Sequence, residues 1–337
     1  MTKYMNKLLV ICGPTATGKT QLALQFVQDY KADLVSADSR QVYRGMDIAT
    51  GRDMPGNFKY QISNIKLNQK LIGYFTDGKT RLWGLDLVDP DEEFSVTDFV
   101  RFAVPIIKTT WSENRLPIVV GGTGLYFRAL LGKSPDIYFP RNSKLRKELE
   151  KKPLSELQTE LRRIDLDKFQ NMNNSDVNNR RRLVRAIEVV YAKKDYAGGE
   201  WELLKVTADL LRIGLTAPIA TLTQRISERV DIRIKQGVVA EVTKLIKNGY
   251  SWNLPSMSAL GIRQWQPYFE KGASLEYVRN KWIQDEVSYV KRQLTWFKKE
   301  PGVVWFDISV KGYPEIIFAE VEKWYAKPYR YVGTMIS

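Results

Sequence analysis

Apolar residues recur along this chain with two different periods. Short unbroken runs at Leu8–Cys12, Leu34–Ala37 and Leu116–Val120 predict strands buried on both faces. Lys19 to Tyr30 repeats at helical spacing, with Leu22, Ala23, Phe26 and Val27 on one face, and a second helix is predicted from about Leu125 to Leu131. Strands alternating with helices predict a parallel sheet with crossover helices. Residues 52–85 break the alternation with Gly, Asn, Lys and aromatic residues, and predict a small β-rich excursion. Residues 133–142 (KSPDIYFPRN) read as a linker. Beyond it the pattern turns helical. Leu154, Leu157, Leu161 and Ile164 share one helix face, as do Leu183, Ile187, Val190 and Tyr191. Long helices are predicted over roughly 219–248 and 274–299, and Val303–Ile308 reads as a last strand.

Charge changes the picture. Of 337 residues, 52 are Lys or Arg and 38 are Asp or Glu, a formal charge of +14. Residues 141–194 alone carry 15 basic and 8 acidic residues, so half of the excess sits on the predicted helical stretch. An excess of this kind suits a polyanionic partner, nucleic acid foremost, although a basic surface also serves solubility. Histidine is absent and Cys12 is the single cysteine. Those two facts exclude Ser-His-Asp and Cys-His triads, a histidine base, a Cys/His zinc cluster and an internal disulfide. No run approaches the roughly 20 apolar residues of a membrane span. The segment MTKYMNKLLVICGP is too weakly apolar for a signal peptide, and a reducing cytoplasmic setting fits the lone thiol.

The remaining chemistry must come from carboxylates, cations, hydroxyls, backbone amides or a bound metal. Gly13-Pro14-Thr15-Ala16-Thr17-Gly18-Lys19-Thr20 matches GxxxxGK[ST] between a predicted strand and a predicted helix, where such a loop cradles phosphates. Lys19 would reach phosphate oxygens and the Thr20 hydroxyl would hold Mg²⁺. The motif specifies a diphosphate or triphosphate, not a nucleotide and not hydrolysis. Asp38 follows the second strand, on the rim that carries the phosphate loop, and could take a proton from a nucleophile attacking beside the phosphates. Its bland alternative is capping of the next turn. Gly121-Gly122-Thr123-Gly124, after the third strand, makes another close-approach loop on that rim.

Taken together, GPTATGKT, SADSRQVYRGMDIAT, DLVDPDEEFSVTDF and PIVVGGTGLYFRALL resemble the tRNA dimethylallyltransferase (tRNA isopentenyltransferase) family. RRRLVRAIEV, ALGIRQ and KRQLTWFKK resemble its later blocks, in the same order, so the resemblance covers nearly the whole chain. It implies transfer of a dimethylallyl group from dimethylallyl diphosphate to N6 of adenosine 37 in the tRNA anticodon stem-loop, with Mg²⁺. By the same resemblance Asp38 is the general base, Lys19 and Arg225 hold the diphosphate, Thr20 faces the metal, and Thr123 guards the channel between substrates. Arg229, one helical turn from Arg225, is the alternative diphosphate ligand. Contacts to tRNA are implied for Asp38, Ser39, Arg40, Gln41, Thr123, Arg146, Arg181, Arg182, Arg185, Arg263, Lys291, Arg292 and Lys298. Two departures stand out. The stretch GRDMPGNFKYQ is atypical, and Ile262 occupies a place where an aromatic that would stack RNA is common.

The expected architecture is α/β, with a P-loop NTPase-like parallel-sheet core (1–132 with about 200–337) and a mostly helical tRNA-binding insertion (about 133–199). A monomer is the expected state. The rival readings are a P-loop kinase acting on a small molecule, an adenylate isopentenyltransferase acting on free AMP or ADP, and an RNA-binding protein with a vestigial loop.

Overall fold

A computed structural model describes residues 6–327 except 53, 68, 134, 138, 140, 141 and 196–205. The three predicted strands form as β1 (Lys7–Cys12), β2 (Ala32–Ser36) and the strand Leu116–Val120. They lie in one eight-stranded sheet with three strands in the stretch 59–83, β3 (Lys59–Leu67), β4 (Lys70–Thr76) and β5 (Arg81–Trp83), and with β6 (Leu116–Val120), β7 (Asp209–Thr216) and β8 (Val304–Asp307). The strand order is β3-β4-β5-β2-β6-β1-β7-β8. From β5 to β8 every neighbouring pair is parallel, and β3 and β4 add an antiparallel edge. Leu8–Cys12 and all of β2 and β6 are buried, as a sheet covered on both faces requires. The β-rich excursion is therefore no separate lobe but an extension of the central sheet.

The helices that matter for the site flank this sheet. They are α1 (Lys19–Asp29), the single turn α2 (Asp47–Thr50), α3 (Val96–Ser112) and α4 (Gly124–Leu130). Ser95 and Asp98 form a reciprocal capping box that starts α3. The chain divides into two compact units, one formed by Met1–Leu130 with Val206–Ser337 and the other by Leu131–Lys205. The second unit holds α5 (Ser143–Leu149), α6 (Leu154–Ile164), α7 (Leu166–Gln170), α8 (Asn174–Val177) and α9 (Arg180–Asp195). Its core is Leu149, Leu157, Leu161, Leu183, Val184, Ala186, Ile187 and Val190, and the other members of the two predicted faces, Leu154, Ile164 and Tyr191, pack against it partly buried. The predicted linker lies partly outside the described residues, and its described part contains a short turn at Pro135–Ile137.

The single helix predicted over 219–248 is two, α10 (Ile219–Lys235) and α11 (Val238–Lys247), because Gly237 adopts φ 95° between them. After them come α12 (Gln266–Lys271), α13 (Leu275–Phe297) and α14 (Tyr313–Ala326). Ile262 is fully buried. A side chain at that position packs in the core and does not present a stacking face to RNA.

Candidate active site

The phosphate loop joins β1 to α1. Gly13 sits at φ 131°, and a Cβ there would fall 2.3 Å from the Leu215 carbonyl oxygen on β7. Only glycine lets the loop lie this close to the neighbouring strand. Thr17 is fully buried and its hydroxyl donates to the Pro14 carbonyl at 2.9 Å. Gly13, Pro14 and Thr17 are thus framework, whereas Thr15, Ala16, Gly18, Lys19 and Thr20 line a cleft of about 800 Å³. Helix α1 starts at Gly18 with no side-chain cap, so its first amides are directed to whatever occupies the cleft.

Lys19 Nζ donates to the Pro14 carbonyl at 2.6 Å. Burial, reinforced by the Arg229 charge and opposed by Asp38, brings its ammonium down to about 8. Two arginines of α10 bond to the loop. Arg225 donates to the Ala16 carbonyl at 3.1 Å, and Arg229 to the Thr15 hydroxyl at 3.0 Å. Arg229 lines the cleft and Arg225 does not, so the structure gives Arg225 a supporting position and puts Arg229 at the wall.

A second cavity of about 260 Å³ adjoins the first. The two share Thr15, Lys19, Asp38, Thr50, Gly122, Arg229 and Arg233 in their walls. Asp38 Oδ1 accepts the Arg40 amide at 2.8 Å, so the capping role weighed for it is present. That bond orients the carboxylate without removing it from the cavities. Thr123 lines neither cavity. Its hydroxyl accepts the Ser39 amide at 3.1 Å and its own amide donates to the Ala37 carbonyl at 3.2 Å, so it fixes the loop that carries Asp38.

The residues with implied tRNA contacts separate into distinct groups. Ser39, Arg40, Arg263 and Arg292 line the second cavity beside Asp38. Gln41 faces the first and donates to the Gly51 carbonyl at 3.3 Å. Lys291 and Lys298 are exposed on α13 and its C-terminal cap. In the helical unit, Arg181 and Arg182 are exposed, and Arg182 pairs with Asp176. Arg146 and Arg185 are different. Arg146 makes a two-pronged bond to the buried Glu188, at 3.1 and 2.6 Å, and Arg185 donates to the Asp136 and Phe139 carbonyls at 2.8 Å each. Burying Glu188 unpaired would be costly, so Arg146, and Arg185 at 3.6 Å from the same carboxylate, have a part in holding the fold.

Three site residues had no sequence reading. Gln293 of α13 is buried between the phosphate loop and the loop after β6. Tyr289 faces the second cavity, and burial near Asp38 pushes its phenol up to about 12. Arg233 lies two turns beyond Arg225 on α10 and borders both cavities. The spacing of Arg225, Arg229 and Arg233 at intervals of four was the visible signal for the last.

Residues 78–300 match the IPP transferase family and residues 6–72 the isopentenyl transferase family. Similar proteins include a tRNA dimethylallyltransferase of Roseiflexus sp. (strain RS-1), 32% identical with 95% of this chain and 99% of that protein covered. Another, from Leuconostoc mesenteroides, is 34% identical with 89% and 93% covered. Among solved structures, a tRNA isopentenylpyrophosphate transferase of Bacillus halodurans superposes with a TM-score of 0.63 at 30% identity, over 95% of this chain and 98% of that one. A eukaryotic dimethylallyltransferase acting on tRNA gives a TM-score of 0.71 at 23% identity, over 93% and 77%, and bears on the fold alone.

Proposed function

The chain belongs to the tRNA dimethylallyltransferase (IPP transferase) family, and from that premise we propose that it moves a dimethylallyl group from dimethylallyl diphosphate to N6 of adenosine 37 beside a tRNA anticodon. One observation carries the reading: two cavities meet at Asp38 and Lys19, one bordered by the phosphate loop and the other by Arg40, Arg263 and Arg292. A donor with a diphosphate suits the first. An RNA base with its flanking phosphates suits the second.

An exocyclic adenine amine is a poor nucleophile, because its lone pair is delocalised into the ring. Attack on the allylic carbon forms the N6–C bond as the carbon–oxygen bond to the diphosphate breaks. The amine proton passes to Asp38, whose place in the wall of both cavities supports this role. Negative charge grows on the leaving diphosphate. Lys19, Arg229 and the first amides of α1 meet it there. Ser39, held by Thr123, and Arg40, which donates to the Pro255 carbonyl at 2.7 Å, keep the acceptor side of Asp38 rigid.

The donor set around Thr20 fits Mg²⁺ rather than a cage metal. Among the described residues no cluster of three or more Asp, Glu, Cys or His side chains is assembled. Mg²⁺ suits a site where substrate phosphates and water supply most of the oxygens. Thr20 is the residue that would hold it, and the ion would neutralise diphosphate charge. Exposed cations on the helical unit, Arg181 foremost, would grip stem and loop phosphates. No helix among the described residues is long and apolar enough to cross a membrane. A tRNA acceptor is consistent with work in the cytoplasm.

The test is incubation with Mg²⁺, labelled dimethylallyl diphosphate and an anticodon stem-loop, with an adenosine-37-to-guanosine stem-loop and labelled ATP in parallel. Label confined to the adenosine-37 RNA supports the reading. Phosphate transfer from ATP without prenylation of RNA contradicts it and favours the kinase alternative.

A further inference from the structure

We infer that Arg233 is a second guanidinium for the donor's diphosphate, mounted on the buried carboxylate of Glu286. The inference rests on the transferase reading and names a residue for the same cleft. Arg233 is 5% exposed and Glu286 3%, and they pair at 3.0 Å. The same Glu286 oxygen accepts the Trp282 indole N–H at 2.8 Å, and the Trp282 ring lies 5.8 Å from the guanidinium carbon. Nη1 of Arg233 also approaches the Ala49 carbonyl at 3.4 Å. The guanidinium is therefore fixed by a carboxylate, an indole and the end of α2.

Its direction is set by Gly51. That residue adopts φ 66°, and a Cβ on it would fall 1.7 Å from one Arg233 nitrogen and 3.0 Å from one of Arg229. Glycine at this turn admits two arginine heads side by side, and both border each cavity with Lys19. Glu286 offsets one of these charges, and Arg229 and Lys19 leave the shared wall with an excess that an anion in the cleft would meet. A buried ion pair is also a poor device for stability alone, since apolar side chains of similar volume serve as well or better. A fixed guanidinium on the wall of a phosphate cleft gives the arrangement a purpose, because a planar fork suits phosphate oxygens. Glu286 then acts as a positioning residue.

The test compares wild type, Arg233→Met/Glu286→Gln and Glu286→Gln by calorimetry with dimethylallyl diphosphate, thermal melting and tRNA binding. The double variant removes both charges while glutamine still accepts the Trp282 N–H. It should melt near wild type and bind the donor about ten- to hundredfold more weakly, a larger loss than its loss of tRNA affinity. Glu286→Gln retains the Arg233 charge and should bind the donor at least as well as wild type, even with a lowered melting temperature. Wild-type donor affinity in the double variant, or affinity in Glu286→Gln that falls in step with its stability, overturns the inference and leaves Arg233 a brace for α2. A wild-type protein that does not bind the donor at all contradicts the transferase reading instead.

Discussion

The side-chain amide of Gln293 joins Thr15 to Gly122. Its oxygen accepts the Thr15 amide at 2.9 Å and its nitrogen donates to the Gly122 carbonyl at 2.9 Å. One buried residue of α13 thereby sets the spacing between the phosphate loop and the loop after β6. A Cβ on Gly122 would meet the same nitrogen at 2.4 Å, so the fit leaves no slack. Gln293→Leu should leave two backbone groups unpaired, cost about 1–3 kcal/mol of stability and lower kcat/KM by at least tenfold. Gln293→Glu preserves the Thr15 bond and loses the Gly122 one, and should fall between. Chemical denaturation with steady-state kinetics checks both.

Lys19 gives the donor site a pH dependence. Its ammonium is depressed to about 8, chiefly by burial and then by Arg229. In the free protein it loses charge as pH rises through about 8, and donor affinity should weaken across that interval. The effect on stability has the opposite slope. Between about 8 and the ordinary lysine range near 10.5 the unfolded chain binds the extra proton, so stability rises with pH there. Nearby Cys12 is pushed up to about 12 by burial, and Tyr289 likewise, so neither titrates in this window. Measuring donor KM from pH 7 to 9.5 should show the inflection in wild type and none in Lys19→Arg, whose charge persists.

The arginines of the helical unit should divide by experiment as they do by geometry. Arg181→Ala with Arg182→Ala should leave the melting temperature within about 2 °C and weaken tRNA binding with a shallower salt dependence. Arg146→Met should instead destabilise the unit by about 2 kcal/mol. That is below the figure for a fully buried pair, because Arg185 still lies 3.6 Å from Glu188. Equal effects of the two changes on tRNA affinity would contradict this division.

What was legible in the sequence was local. The phosphate loop is eight consecutive residues between a strand and a helix, and its spacing already states its chemistry. β1, β2 and β6 announce themselves as unbroken apolar runs because both of their faces are buried. Helix α3 escaped because its Val, Ile, Phe and Thr residues suit a strand by propensity and Pro105 argues against an unbroken helix, and its capping box and buried face override both. β7 escaped because Arg212 interrupts its apolar run. The bonds of Gln293 to Thr15 and of Arg233 to Glu286 join residues far apart in the chain and exist only after folding. The pairing of Arg146 with Glu188 likewise joins residues of two helices and exists only after folding.

The central claim is that Asp38 takes the proton of the attacking amine where the two cavities meet. The most direct measurement is single-turnover transfer by Asp38→Asn, with donor and tRNA affinities determined on the same protein. Asparagine can still accept the Arg40 amide, so the loop should keep its shape. The account predicts near-wild-type affinities and a transfer rate lower by about 10²–10⁴-fold. A transfer rate within a few-fold of wild type would contradict it and return Asp38 to a capping residue.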